Sequence, residues 1–234
     1  MEACSPSTGS TSAGRRGPYT ASSVPTEPAR ARSSGLITNF QPVTAGEVLF
    51  EGRRVTRLPQ HRYAPLGIAR KFQTPALFQD LTVAENLLLG RDGRKSWLRL
   101  VSSRPSTDAD AEVQRMLETV GLSAQARTPA GDLSHGEQQW LEIGVALMSR
   151  PKLLLLDEPT GGMSPSETYA TADLVLELRR QTTMIVVEHD FSFIRRIADV
   201  VTVMHRGATI AEGRPDQIAG NALVRDVYLG RQAV

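Results

Sequence analysis

The chain has 234 residues, of which 40% are hydrophobic and 22% charged, with a net charge of +2 and a single cysteine. That length suits one domain, or one with a lobe attached, and one cysteine excludes an internal disulfide framework and a cysteine-rich zinc site. Residues 1–34 hold four Arg and two Glu, so the whole positive excess lies there, and the balance of charge gives no argument for nucleic acid.

No apolar run approaches the roughly 18 residues of a membrane-spanning helix, and no apolar stretch follows Arg15-Arg16, so the start reads neither as a secretory signal nor as a twin-arginine signal. Residues 1–34 are rich in Ser, Pro, Gly, Ala and Arg, with Tyr19 and Val24 the only sizeable apolar groups, and are expected to be disordered. From Gly35 the texture changes. Glu47–Phe50 and Ile68–Phe72 read as short strands. Thr82 caps a helix running through Leu89, with Glu85 completing a capping box. Residues 91–106 are polar and irregular, and helical spacing returns over Thr107–Val120, where Val113, Met116, Leu117 and Val120 share a face.

Ser134 begins a helix reaching about Met148, whose Trp140, Ile143 and Leu147 form a core stripe. There follow the strand Leu153–Leu156, a helix around 165–180, the strand Met184–Val187, a helix near 190–197 and the strand Val200–Val203. Two uninterrupted apolar strands separated by a helix require a buried parallel sheet. The fold is therefore expected to be α/β, with a mainly helical insertion between about 74 and 150.

Four segments carry chemistry. Leu153–Leu156 runs into Asp157-Glu158-Pro159, placing two carboxylates at the carboxyl edge of a parallel sheet, where such sheets bind ligands. There the first can hold Mg²⁺ through water and the second can polarise an attacking water, although a solvated acidic turn has the same look. His189 follows a second buried strand, 31 residues after Glu158, and can reach the same edge to contact a γ-phosphate. Leu133–Gln139 is a helix start in which Ser134 is the cap and the free N–H groups of the first turn suit a phosphate; taken singly, it is an ordinary N-cap. Gln73, in Phe72–Pro75, can reach a metal or a water through its amide, or be a plain polar loop residue.

In their order and spacing, Gln73, Leu133–Gln139, Leu153–Glu158 and His189 resemble the Q-loop, signature motif, Walker B motif and H-loop of the ATPase subunits of ABC transporters. Arg70–Pro75, Leu133–Gly136, Gln139–Gly144 and Gly162-Met163 are similar in wording to importers of branched-chain amino acids and, especially, urea. The resemblance covers about 35–230 and implies a P-loop NTPase-like parallel sheet. It implies that the chain binds and hydrolyses ATP with Mg²⁺. Asp157 and Gln73 would serve the metal, Glu158 as general base and His189 at the γ-phosphate, while Ser134, His135, Gly136 and Glu137 would meet ATP held by a partner subunit. The implied partners are a second ATPase subunit, two permease subunits and, indirectly, an extracytoplasmic binding protein, with the ATPase peripheral on the cytoplasmic face of the inner membrane. Two departures stand out: His135 replaces the usual glycine of the signature, and Ser164-Pro165 sits where the family often carries an acid or amide. Chromosome-organising relatives are set aside, because the 61 positions from Gln73 to Ser134 leave no room for their coiled coil.

The Walker A loop, G-x-x-x-x-G-K-[ST], belongs just before Gly35, and no such segment occurs. The three lysines are Lys71, Lys95 and Lys152, and none follows a glycine. That removes the nest of N–H groups and the ammonium expected at the β- and γ-phosphates. Yet Gly35–Asn39 and Thr44–Val48 look like the family's sequence directly after that loop. Read from one base earlier, codons for Val24-Pro-Thr-Glu-Pro-Ala29 can encode Gly-Pro-Asn-Gly-Ala-Gly, and those for Arg30-Ala-Arg32 can encode Lys-Ser-Thr. Tyr19–Ser23 shifted alike can encode Leu-His-x-Ile-Ile, a plausible preceding strand. Residues up to about 34 are therefore read as an out-of-frame translation, the competing readings being an unrelated tail and a non-hydrolysing partner that lends only its signature motif. With the family's N-terminal strand and the helix after Walker A lost, Leu153–Leu156 and Met184–Val187 would lose neighbours, and the chain is expected to be poorly stable and aggregation-prone.

Overall fold

The computed structural model describes residues 20–24, 46–71, 77–92, 107–205 and 208–228. A six-stranded sheet forms the centre. Its strands are β1 (Thr20–Val24), β4 (Ile68–Arg70), β5 (Leu153–Asp157), β6 (Thr183–Val187), β7 (Val200–His205) and β8 (Ala208–Gly213), in the order β4-β5-β6-β1-β7-β8. The pairings are parallel except for β7 with β8, which is antiparallel. Strands β2 (Leu49–Phe50) and β3 (Arg53–Arg54) make a separate small hairpin.

The helices are α1 (Val83–Asp92), α2 (Thr107–Thr119), α3 (His135–Met148), α4 (Pro165–Leu178), α5 (Phe191–Ile197), α6 (Pro215–Ala219) and α7 (Ala222–Tyr228). The helix starts follow the expected chemistry. Thr82 N–H donates to Glu85 Oε2 at 2.8 Å while Glu85 N–H donates to Thr82 Oγ1 at 3.2 Å, the reciprocal pair of a capping box. Ser134 with Glu137, and Ser164 with Glu167, repeat it at α3 and α4.

Two main cores result. Leu154, Leu156, Met184, Val186, Val201 and Val203 of the sheet pack with Ile143, Leu147, Val175, Phe193 and Ile194 of the helices. A second core joins Val83 and Leu87 of α1, Val113 and Leu117 of α2 and Leu141 of α3. The stripe read as core behaves so: Ile143 and Leu147 are buried, and Trp140, packed against both cores, donates its indole N–H to Thr171 Oγ1 at 2.8 Å.

Helix α1 lies so close to α3 that a Cβ on Gly90 would collide with the carbonyl of Val145. Gly90→Ala is therefore expected to destabilise the fold by about 1–3 kcal/mol through overpacking, although alanine is the better helix former by roughly 1 kcal/mol. A thermal melt rising above wild type would contradict this.

One expectation is corrected. Residues 1–34 do not lack structure throughout, because Thr20–Val24 form β1 in the middle of the sheet. Thr20–Ser23 align with Met184–Val187 on one side, and Ala21–Val24 with Val200–Val203 on the other. A parallel strand is held by backbone N–H and C=O groups, so Thr-Ala-Ser-Ser-Val can fill a place that hydrophobic patterning reserves for an apolar run. The half of the stability expectation that rested on an empty slot beside β6 is thereby removed, while the half that rested on the following helix concerns residues outside those described. The rest of 1–34 lies outside the described residues.

Candidate functional site

The register sets the site. Asp157 of β5 lies opposite Val187 of β6, and Ser23 of β1 lies opposite the same Val187 from the other side. The ends of three adjacent strands thus share one sheet edge, with Asp157 closing β5, Glu158 directly after it and His189 two residues beyond β6.

Asp157 is buried, and the guanidinium of Arg70, at the end of β4, donates to its Oδ2 at 3.1 Å. Glu158 occupies left-handed backbone, φ +46°, a conformation that costs a non-glycine residue of order 1 kcal/mol or more. It is pinned there: its N–H donates to Val187 O at 2.8 Å, and Gly161 N–H donates to its carbonyl at 3.1 Å. The Nδ1 of His189 lies 4.0 Å from Glu158 Oε1 and 3.1 Å from Glu188 Oε2. Glu158 and His189 are thus brought side by side, and Asp157 closes the neighbouring strand at the same edge. Gln73 lies outside the described residues.

The segment Ser134–Glu137 approaches this edge from α3. Glu137 carries the cap, accepting the N–H of Ser134 at 2.8 Å. His135 extends its Nε2 to the carbonyl of Gly161 at 3.0 Å, and Gly162, at φ +75°, lies so close beneath the ring that a Cβ there would sit 3.1 Å from Nε2. Gly136 lies against the Glu167 carboxylate, with which any larger residue would collide. The Ser164 hydroxyl and N–H hold the Glu167 carboxyl below the ordinary carboxylate range, and His135 adds to the effect. The loop after Glu158 is thus clasped by the first turn of α3. His135 fits where the sequence pattern leads one to expect glycine because Gly161 and Gly162 make room for it.

A Mg²⁺ ion fits this donor set in one way. Among the described residues no three His, Cys, Asp or Glu side chains gather into a protein-only cage. Asp157 offers one buried carboxylate at the edge, which suits an ion that keeps its waters and shares ligands with a bound phosphate.

Sequence reasoning missed Glu188, Thr160 and Arg70. Glu188 is 1% exposed, and in the sequence it is marked only by following four apolar residues, a signal that gains meaning once β6 is known to be a central strand.

Comparison with known proteins gives a consistent picture. Residues 34–161 match the ABC transporter family, and residues 208–234 match the family described as branched-chain amino acid ATP-binding cassette transporter. The high-affinity branched-chain amino acid transport ATP-binding protein BraF of Pseudomonas aeruginosa is 34% identical, over 83% of this chain and 80% of its own length. Its counterpart LivG of Escherichia coli K12 is 35% identical, with the same coverage. Among solved structures, an ATP-binding cassette of an ABC transporter in its ADP conformation superposes with a TM-score of 0.77 at 29% identity, covering 91% of this chain and 88% of that one. A nucleotide-free cassette superposes with a TM-score of 0.75.

Proposed function

The chain belongs to the ATP-binding subunits of ABC transporters, and on that premise we propose that it is the ATPase subunit of an importer for branched-chain amino acids. The single observation that supports this best is the agreement of the C-terminal 208–234 match with relatives whose names carry the same solute. Urea is the runner-up, resting on the wording around Arg70–Pro75 and Gly162-Met163. The subunit would pair with a second ATPase, dock on two permease subunits at the cytoplasmic face of the inner membrane and serve an extracytoplasmic binding protein. No helix among the described residues is long and apolar enough to cross a membrane.

In the proposed mechanism ATP binds at the carboxyl edge of β5, β6 and β1. Asp157 and Gln73 would serve the Mg²⁺ that accompanies it, and that ion would supply charge neutralisation at the phosphates. Glu158, pinned by Val187 and Gly161, accepts a proton from the attacking water, while His189 contacts the γ-phosphate. Ser134, His135, Gly136 and Glu137 present the start of α3 to nucleotide on the partner subunit.

The missing phosphate loop bears on this reading. The family match begins at residue 34, just after the stretch whose shifted codons can encode the loop. We propose that residues up to about 34 are translated out of frame and that the chain as written is a weak or non-hydrolysing ATPase. Genomic sequence over codons 1–40 tests this: bases that spell Gly-Pro-Asn-Gly-Ala-Gly-Lys in the shifted frame support it, and their absence removes it.

The transport reading is tested separately, by co-expressing the chain with the permease subunits of its own genome. Co-purification from membranes with a branched-chain amino acid permease is the expected result, and a urea permease or no permease would overturn it. In such an assembly with the loop restored, Glu158→Gln is expected to lower ATP turnover by about a hundredfold without weakening nucleotide binding.

A further inference from the structure

Glu188 has no part in the mechanism above, yet it is among the largest fully buried side chains, at 1% exposure. A carboxylate taken out of water must be compensated by hydrogen bonds. Four donors surround this one, two for each oxygen. The N–H and the hydroxyl of Thr160 both donate to Oε1, the N–H at 3.2 Å. The N–H of His189 donates to Oε2 at 2.8 Å, and His189 Nδ1 lies 3.1 Å from the same atom.

An ionised carboxylate only accepts, so the proton of the 3.1 Å contact belongs to the imidazole. The His189 ring is then held with hydrogen on Nδ1, leaving Nε2 as the nitrogen presented outward. Thr160 is two residues beyond Glu158, and its neighbour Gly161 accepts from His135 Nε2 at 3.0 Å. A carbonyl only accepts, which places the His135 proton on Nε2, and the Gln139 side-chain amide, 3.4 Å from the same nitrogen, is then turned with its oxygen toward the ring. The two histidines are set in opposite tautomers by one connected series of bonds, His189–Glu188–Thr160–Gly161–His135.

We propose that Glu188 is a positioning residue that acts through His189 and Thr160, fixing the tautomer of His189 and tying its ring to the loop contacted by the first turn of α3. Its consequence for hydrolysis rests on the ATPase reading, because only there does His189 meet a γ-phosphate and α3 meet the partner's nucleotide. The tautomers themselves are independent of that reading and are measured without nucleotide.

The chain contains four histidines, so their ring nitrogens can be assigned one by one by long-range ¹⁵N–¹H spectroscopy of the full-length protein in mildly alkaline solution. Wild type should show His189 protonated on Nδ1 and His135 on Nε2. In Glu188→Gln the amide offers one acceptor and one donor to two sets of donors, so one set loses its partner. The Nδ1-to-Nε2 ratio at His189 should fall about tenfold or more, the scale of a charge-assisted hydrogen bond. Thr160→Val leaves Glu188 in place and does not touch His189, yet it should shift the ring signals of both histidines, and Thr160→Ser should restore them. A merely structural role would lower the melting temperature and leave the tautomers alone. Wild-type His189 protonated on Nε2, or an unchanged ratio in folded Glu188→Gln, overturns the proposal. Should Glu188→Gln fail to fold, Thr160→Val decides by the same readout, with unshifted histidine signals as the contrary result. None of these outcomes bears on whether the chain binds ATP, so this proposal and the transport reading stand or fall separately.

Discussion

Replacing residues 24–32 with Gly-Pro-Asn-Gly-Ala-Gly-Lys-Ser-Thr is expected to tighten ATP binding by the isolated chain by about 10²–10³-fold. The gain has a geometric basis. β1 pairs Ser23 with Val187 and Val24 with Val203, so the chain leaves the sheet at the edge that bears Asp157, Glu158 and His189. A loop of glycines at that point turns successive N–H groups toward a phosphate, and its lysine adds a charge-assisted bond. Two such bonds at about 1.5–2 kcal/mol each account for the magnitude. Equilibrium titration with a fluorescent ATP analogue reads it. Equal affinity before and after the replacement would show that something other than the loop limits binding. The same experiment separates an out-of-frame ATPase, which the replacement repairs, from a partner subunit whose nucleotide site is lost for other reasons.

Lys71→Met is expected to destabilise the fold by about 3–5 kcal/mol, more than any other substitution considered. Lys71 directly follows β4, its N–H donating to Leu155 O at 2.9 Å, and its ammonium lies 3.2 Å from Glu142 of α3. Both side chains are buried, at 4% and 8% exposure, so the mutant removes an ammonium from beside a carboxylate in the interior. The double variant Lys71→Met, Glu142→Leu should recover most of the loss, since an apolar pair of similar volume is often neutral. Urea denaturation of the two single mutants and the double mutant gives the coupling energy. Additive losses would mean that the pair is not what joins α3 to the sheet.

The sheet and its helices were legible because their residues obey simple periods. Leu153–Leu156 and Met184–Val187 are apolar on both faces, as strands covered on both sides must be, and the boxes Thr82–Glu85 and Ser134–Glu137 mark helix starts within a residue. The approach of His189 to Glu158 was legible from spacing, since a crossover of that length returns the chain to the neighbouring strand. Four things were not. β1 carries no apolar run, so nothing local distinguishes it from a tail. Arg70 and Asp157 are 87 positions apart, and the Lys71–Glu142 pair joins two elements whose packing no local pattern encodes. Glu188 was hidden because an acid beside a histidine reads as solvated polarity until the strand before it is known to be central.

The place of β1 has a consequence for how such a gene ages. A middle strand of a parallel sheet is recruited by amides and carbonyls, which every residue but proline supplies in full. Thr20–Val24 contains none, so it can be paired with β6 and β7 whichever reading frame wrote it. Phosphate chemistry has no such tolerance, because a glycine or a lysine in the wrong frame is simply another residue. A shifted frame over this stretch would therefore cost the phosphate loop while leaving the backbone pairing of β1 in place. On the out-of-frame reading proposed above, a lineage can carry such a subunit folded and without hydrolysis for a long time.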